Sequence, residues 1–296
     1  MSNTDQQRGV FTISIDYEYA WGYADLFPSP DDVERIHGES AITKRLIELF
    51  ERYRIPATWA IVGHLLEPRH EGDADPAWFD QDNLIERIAA SPVGHEIGCH
   101  SYTHIVYDGT VTARTEVERD MQEAHRVHIA RGFPFHSFVF PRNREGYHAI
   151  LKQHGIICFR GSRRVWYGLL PHTLRPLGRG IDYWLPTTHV SVPRRHTSGL
   201  VNIPESLLFV SRKGVQRMLP ARQAYRKVVW CLNRAVKQRR VFHLWFHPSN
   251  FSYDTDTQFV IFERVLAYAA ELQKEGRLAC MTMGAVGDAC IEKGNV

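Results

Sequence analysis

Short apolar runs of strand length recur along the chain, and most are followed by a stretch with helical period. Val10-Phe11-Thr12-Ile13-Ser14-Ile15-Asp16 alternates and is rich in β-branched residues, which predicts a first strand running out into Tyr17 and Glu18. Residues 42–53 carry a helical pattern that stops ahead of Pro56. The run 57–63 predicts a second strand, 81–90 a helix, and Glu96-Ile97-Gly98-Cys99 a third strand leading into His100. Further on, 112–131 and 147–154 read as helices around strands at 137–141 and 156–160. After an irregular stretch come a helix at 213–237, a buried strand at 241–246, a helix at 258–275 and a closing strand at 279–283. Regular alternation of strand and helix predicts an α/β fold with a mostly parallel sheet. An apolar strand count near seven favours a barrel-like closure over two domains. One domain is therefore expected over 1–296, with residues 161–205, dense in Pro, Gly and Arg, as a long active-site loop or insertion.

If the strands are parallel, their carboxyl ends share one edge, where such sheets keep their chemistry. Polar residues collect at four of these ends: Asp16 and Glu18; His100 and His104; Arg142 with Asn143; and His247. Two histidines four residues apart stack on one face if their segment is helical, within reach of one divalent cation. Asp16 and Glu18, two apart on an extended strand, point to the same side, while Tyr17 faces the other layer. A hydrolytic metal site needs three protein ligands. His100, His104 and one of the two carboxylates supply them, and the other carboxylate is left as a general base. Arg142 would hold the base ionised, and His247 would serve as general acid toward a leaving amine. The competing reading is a pair of surface histidines in a chain that has 16, with His247 a core residue.

These motifs resemble those of the NodB-homology polysaccharide deacetylases, carbohydrate esterase family 4. His100-Ser101-Tyr102-Thr103-His104 is similar to the family's H-[ST]-x-x-H motif, and Leu244-Trp245-Phe246-His247 to its L-x-x-H motif. Phe140-Pro141-Arg142-Asn143 looks like a variant of the arginine motif that orients the base. Ser14-Ile15-Asp16-Tyr17-Glu18 departs from the usual adjacent aspartates and is similar to a D-x-E branch of intracellular members. The resemblance implies a distorted (β/α) barrel of seven or eight mostly parallel strands, with Asp16 as base and Glu18 as metal ligand. It also implies Trp184, Asn143 and Tyr17 as substrate contacts, and Asp182 as the group polarising His247. The metal implied is zinc, with cobalt, nickel or iron as substitutes.

The implied activity is removal of an N-acyl group, acetyl above all, from an amino sugar. An allantoinase-like hydrolase of cyclic amides and a non-catalytic carbohydrate-binding barrel are the alternatives. Met1-Ser2-Asn3-Thr4-Asp5-Gln6-Gln7-Arg8 has no apolar core, so a cytoplasmic location is expected. That location favours a small-molecule, nucleotide-linked or lipid-linked sugar of surface polysaccharide assembly. A net charge of +3 is too small to suggest nucleic acid. Arg222, Arg226 and Lys227 lie in a basic segment expected to meet phosphate or, peripherally, a membrane surface. A homo-oligomer is compatible with everything above. Five scattered cysteines without a C-x-x-C pair predict reduced thiols.

Overall fold

The computed structural model describes residues 8–23, 30–68, 78–80, 82–163, 165–184, 190–209, 211–213, 217 and 220–292. In chain order the elements are β1 (Gly9–Tyr17), α1 (Pro30–Tyr53), β2 (Thr58–Ile61), α2 (Leu84–Ala89), β3 (Glu96–Cys99), α3 (Arg114–Ala130), β4 (Ser137–Val139), α4 (His148–Gln153) and β5 (Cys158–Gly161). There follow α5 (Arg175–Trp184), β6 (Arg194–Arg195), β7 (Val201–Pro204), β8 (Leu207–Leu208), α6 (Ala221–Gln238), β9 (Val241–Phe246), α7 (Thr255–Lys274), β10 (Leu278–Cys280) and α8 (Met283–Glu292).

Strand order is β6-β7-β5-β4-β3-β2-β1-β9-β8, with β10 paired to β1. Among the strands of the described residues, only the two-residue β6 runs antiparallel to its partner. The run from Val201 to Leu208 pairs first with β5 and then with β9, so one stretch of chain joins both ends of the order. The sheet is thereby curled into a distorted barrel, the closure that a strand count near seven predicts. Parallel strands covered by helices are buried on both faces, hence their unbroken apolar character. Every residue of β9 is buried, and all of β1 but Val10.

The stretch 161–205 is not wholly an insertion. Val201 and Ile203 of β7 are buried in the sheet. Helices α5 and α8 also have no counterpart in the pattern reading. The five cysteines are free thiols, as expected.

Two histidines are part of this core. His128 of α3 sets Nδ1 against the Ala124 carbonyl at 2.7 Å. His243 of β9 sets Nδ1 3.2 Å from the Ile203 carbonyl and Nε2 2.9 Å from the Ser14 hydroxyl. Burial depresses their pKa values to about 4 and about 3 respectively. An unfolded histidine takes a proton near pH 6.5, roughly. Stability is therefore full above that pH and falls as pH drops through the window, by about 1.4 kcal/mol per unit for each ring. Urea melts of wild type and His128→Asn at pH 7 and pH 5 check this. The variant should lose about 2 kcal/mol less than wild type between the two pH values; equal losses would refute the account.

Candidate active site

The carboxyl ends of β1, β3 and β9 deliver the central cluster. Glu18 follows directly on β1, and His100 directly on β3. Glu18 Oε2 lies 3.2 Å from His100 Nε2 and 3.0 Å from His104 Nε2. Among the described residues, Glu18, His100 and His104 are the group whose donor atoms, all within 4.8 Å of one another, could hold a metal ion. His100 and His104 are buried, as is the Gly22 backbone packed against Glu18. A Cβ on Gly22 would lie 2.1 Å from Glu18 Oε1, so only glycine permits this approach.

The histidine motif is not helical. Its residues form a turn in which Ser101 and His104 adopt left-handed backbone, φ 63° and 61°. The spacing of four brings the rings to 5.0 Å between centroids by a bend of the chain. His100 Nδ1 donates to the Val139 carbonyl at 2.8 Å, which fixes the tautomer and leaves Nε2 with a lone pair facing Glu18.

Asp16 lies beside this cluster, buried, in a two-pronged ion pair with Arg160. Arg160 Nη1 donates to Oδ1 at 2.6 Å and Nη2 to Oδ2 at 2.7 Å. The same guanidinium donates to Ser14 Oγ at 3.0 Å and to Asn143 Oδ1 at 2.9 Å, and it stacks over the Trp245 ring at 4.3 Å. Burial alone would raise the Asp16 pKa, but Arg160, His247 and His100 together hold it below the usual carboxylate value. Burial likewise opposes charge on Glu18, and His247 and His104 hold it well below the ordinary range. His247, at the exit of β9, brings Nε2 within 3.6 Å of Asp16 Oδ2 and 3.4 Å of Glu18 Oε1. Its side chain is 27% exposed, more than the 13% of Glu18, so it is the most accessible of these groups. Trp21, three residues beyond Glu18, stacks on His64 at 4.1 Å between centroids, and His64 on Tyr102 at 4.0 Å. All three are half-buried and form an aromatic rim.

Five sequence-predicted residues thus come together: Asp16, Glu18, His100, His104 and His247. Others do not take the expected places. Arg142 has left-handed backbone, φ 57°, and donates to the Gly22 carbonyl at 2.9 Å. The guanidinium on Asp16 is that of Arg160, from strand β5, which does not pair with β1. The signal for it was a lone arginine inside the otherwise apolar run Ile156-Ile157-Cys158-Phe159. Asn143 reaches the site only through Arg160. Tyr17 is fully buried, with its hydroxyl bonded to Tyr19 and Asp80 and its ring against Trp59, so it cannot touch a substrate. Asp182 accepts from Arg163 and Trp166 and neighbours Lys227, rather than serving His247. The side chain of Trp184 lies outside the described residues. Lys227 is buried and donates to the Asp182 carbonyl, which removes it from the basic face; Arg222 and Arg226 remain exposed.

Residues 31–155 match the polysaccharide deacetylase family model. Over 98 residues, 32% of this chain, the sequence is 37% identical to the peptidoglycan deacetylase of Helicobacter pylori, a match covering 28% of that protein. The chain therefore aligns with about a quarter of that relative's length. Among solved structures, the fold is similar to a probable polysaccharide deacetylase from Pseudomonas aeruginosa PAO1, with TM-score 0.68 and 14% identity over 98% of this chain and 93% of that one. It is also similar to Puue allantoinase, with TM-score 0.67 and 13% identity over 96% and 90%. At such identities the likeness is one of fold.

Proposed function

We propose that this chain is a polysaccharide deacetylase of the NodB-homology type, to which it is similar over residues 31–155, and a metal-dependent hydrolase that removes an N-acetyl group from an amino sugar. The observation that carries the reading is the convergence of Glu18, His100 and His104 beside the paired Asp16 and the half-exposed His247. The donor set, two imidazoles and one carboxylate, is that of a hydrolytic zinc site. When bound there, a divalent cation would polarise the amide carbonyl and make a water acidic enough for a weak base to deprotonate.

The residues divide the proton work. Asp16, kept ionised by Arg160, takes the proton of the attacking water. Arg160 prevents Asp16 from rotating and cancels the cost of its buried charge. His247 Nε2 gives a proton to the leaving nitrogen, for which its place at the edge of the cluster suits it. The aromatic rim of Trp21, His64 and Tyr102 favours a ring-shaped substrate over a flexible one. A soluble or carrier-linked sugar is the substrate class we favour, with Arg222 and Arg226 meeting any phosphate it carries; zinc is the metal we favour.

Metal analysis and acetate release from N-acetylated sugars test the reading together. Purified protein should hold close to one equivalent of divalent metal, and His100→Ala with His104→Ala should lose both metal and acetate release. Metal retained by the double variant would sink the ligand assignment. Ring opening of allantoin without acetate release would move the activity to cyclic amides.

A further inference from the structure

The turn that carries both histidines is held from outside by a residue with no part in the chemistry above. Asp120 lies on α3, is 5% exposed, and accepts four hydrogen bonds from the loop that begins at His100. Its Oδ2 takes the backbone N–H of Tyr102 at 2.8 Å and the Tyr107 hydroxyl at 2.8 Å. Its Oδ1 takes the backbone N–H of Thr103 at 2.9 Å and the Thr103 hydroxyl at 2.6 Å. The two amides are consecutive and belong to the residues between the ligating histidines.

This loop would not keep its shape unaided. Ser101 and His104 both have positive φ without being glycine, a conformation that costs on the order of 1 kcal/mol or more each. Two partly buried amides would also be left without acceptors if the loop stood alone. A buried carboxylate that satisfies both, and is itself fully occupied, binds the loop to α3 as a rigid unit. Gly63 closes the other side: a Cβ there would lie 2.7 Å from the Tyr102 ring.

We propose that Asp120 is a positioning residue that sets the angle and separation of the His100 and His104 rings, and through them the affinity of the site for a divalent cation. The inference rests on the reading of Glu18, His100 and His104 as metal ligands. In Asp120→Asn, one of the two oxygens becomes a donor. That donor opposes either the Tyr102 or the Thr103 amide and releases one end of the turn.

Titration of the metal-free protein with Zn2+ alone and Co2+ alone, by calorimetry or equilibrium dialysis, tests this. Asp120→Asn should bind roughly 10- to 100-fold more weakly than wild type, the usual loss for an outer partner of a metal site. Thr103→Val, which removes a single bond to the same carboxylate, should bind several-fold more weakly and guards against a misfolded first variant. Tyr107→Phe also removes a hydroxyl bond to Asp120, but from a residue outside the stretch between the two histidines. It should lower the melting temperature while keeping affinity within about threefold of wild type, on the scale of one lost hydrogen bond. Wild-type affinity in both Asp120→Asn and Thr103→Val overturns the proposal and leaves the metal site standing. An equal loss in Tyr107→Phe overturns it as general loosening. Wild type that binds neither ion removes the metal reading, and this proposal with it.

Discussion

Arg160→Gln is expected to cost about 3–5 kcal/mol of stability and at least roughly a hundredfold in turnover, whereas Arg142→Gln stays within a few-fold of wild type. Arg160 and Asp16 are both buried, and their two bonds of 2.6 and 2.7 Å are the only charge compensation of this strength that Asp16 has among the described residues. Removal of the guanidinium leaves a carboxylate stranded in the core. It must then either stay charged at high cost or take a proton. A protonated Asp16 is no base. Ser14 and Asn143 lose their partner in the same step. Arg142 is exposed and donates to the Gly22 carbonyl, while the guanidinium on Asp16 is that of Arg160. Chemical denaturation and acetate-release kinetics on the two variants decide the matter. A turnover loss in Arg142→Gln as deep as that in Arg160→Gln would contradict the geometry.

Asp16→Asn is expected to lower turnover by about 10²- to 10⁴-fold, the usual worth of a general base, while metal content stays at the wild-type level. Asparagine has the volume of aspartate and can still accept one bond from Arg160, so the fold should survive. Glu18, by contrast, contributes directly to the cluster with His100 and His104, and Glu18→Gln should lose metal and turnover together. Metal analysis alongside kinetics on the two variants separates the roles of the two acids. Metal lost in Asp16→Asn and kept in Glu18→Gln would reverse the assignment. Asp16→Asn combined with Arg160→Gln should be scarcely slower than either alone, since the pair acts as a unit.

Much of this site could be read from residue order because a parallel sheet turns sequence into place. A polar residue just beyond an apolar strand must sit at the common edge, whichever strand it follows. Asp16, Glu18, His100 and His247 were found that way. Arg160 escaped because local pattern says where a strand ends but not which neighbour's long side chain reaches a given carboxylate. Arg142 had the motif position, yet the left-handed bend after Pro141 turns it toward Gly22. The histidine turn misled differently: a spacing of four residues fits a helix and a tight bend equally well. Tyr17 shows the limit of alternation, since the layer it faces proved to be closed. Strand β7 was hidden because a four-residue strand between an irregular stretch and a two-residue strand leaves no period to count.

The placement of β1 has a consequence for how the chain comes off the ribosome. One edge of β1 pairs with β9 along Val10 to Ile15; the other is divided between β10 at Gly9 to Phe11 and β2 at Ser14 to Tyr17. β1 therefore waits for partners, β9 and β10, made more than 200 residues later. Until they emerge, most of its backbone N–H and C=O groups lie open to any passing strand. At about 5–20 residues per second, translation leaves that edge uncovered for ten seconds or more. Synthesis, rather than the folding step itself, sets the period in which this protein is most open to misassembly, and nascent chains stalled before Val241 should be the species that chaperones retain.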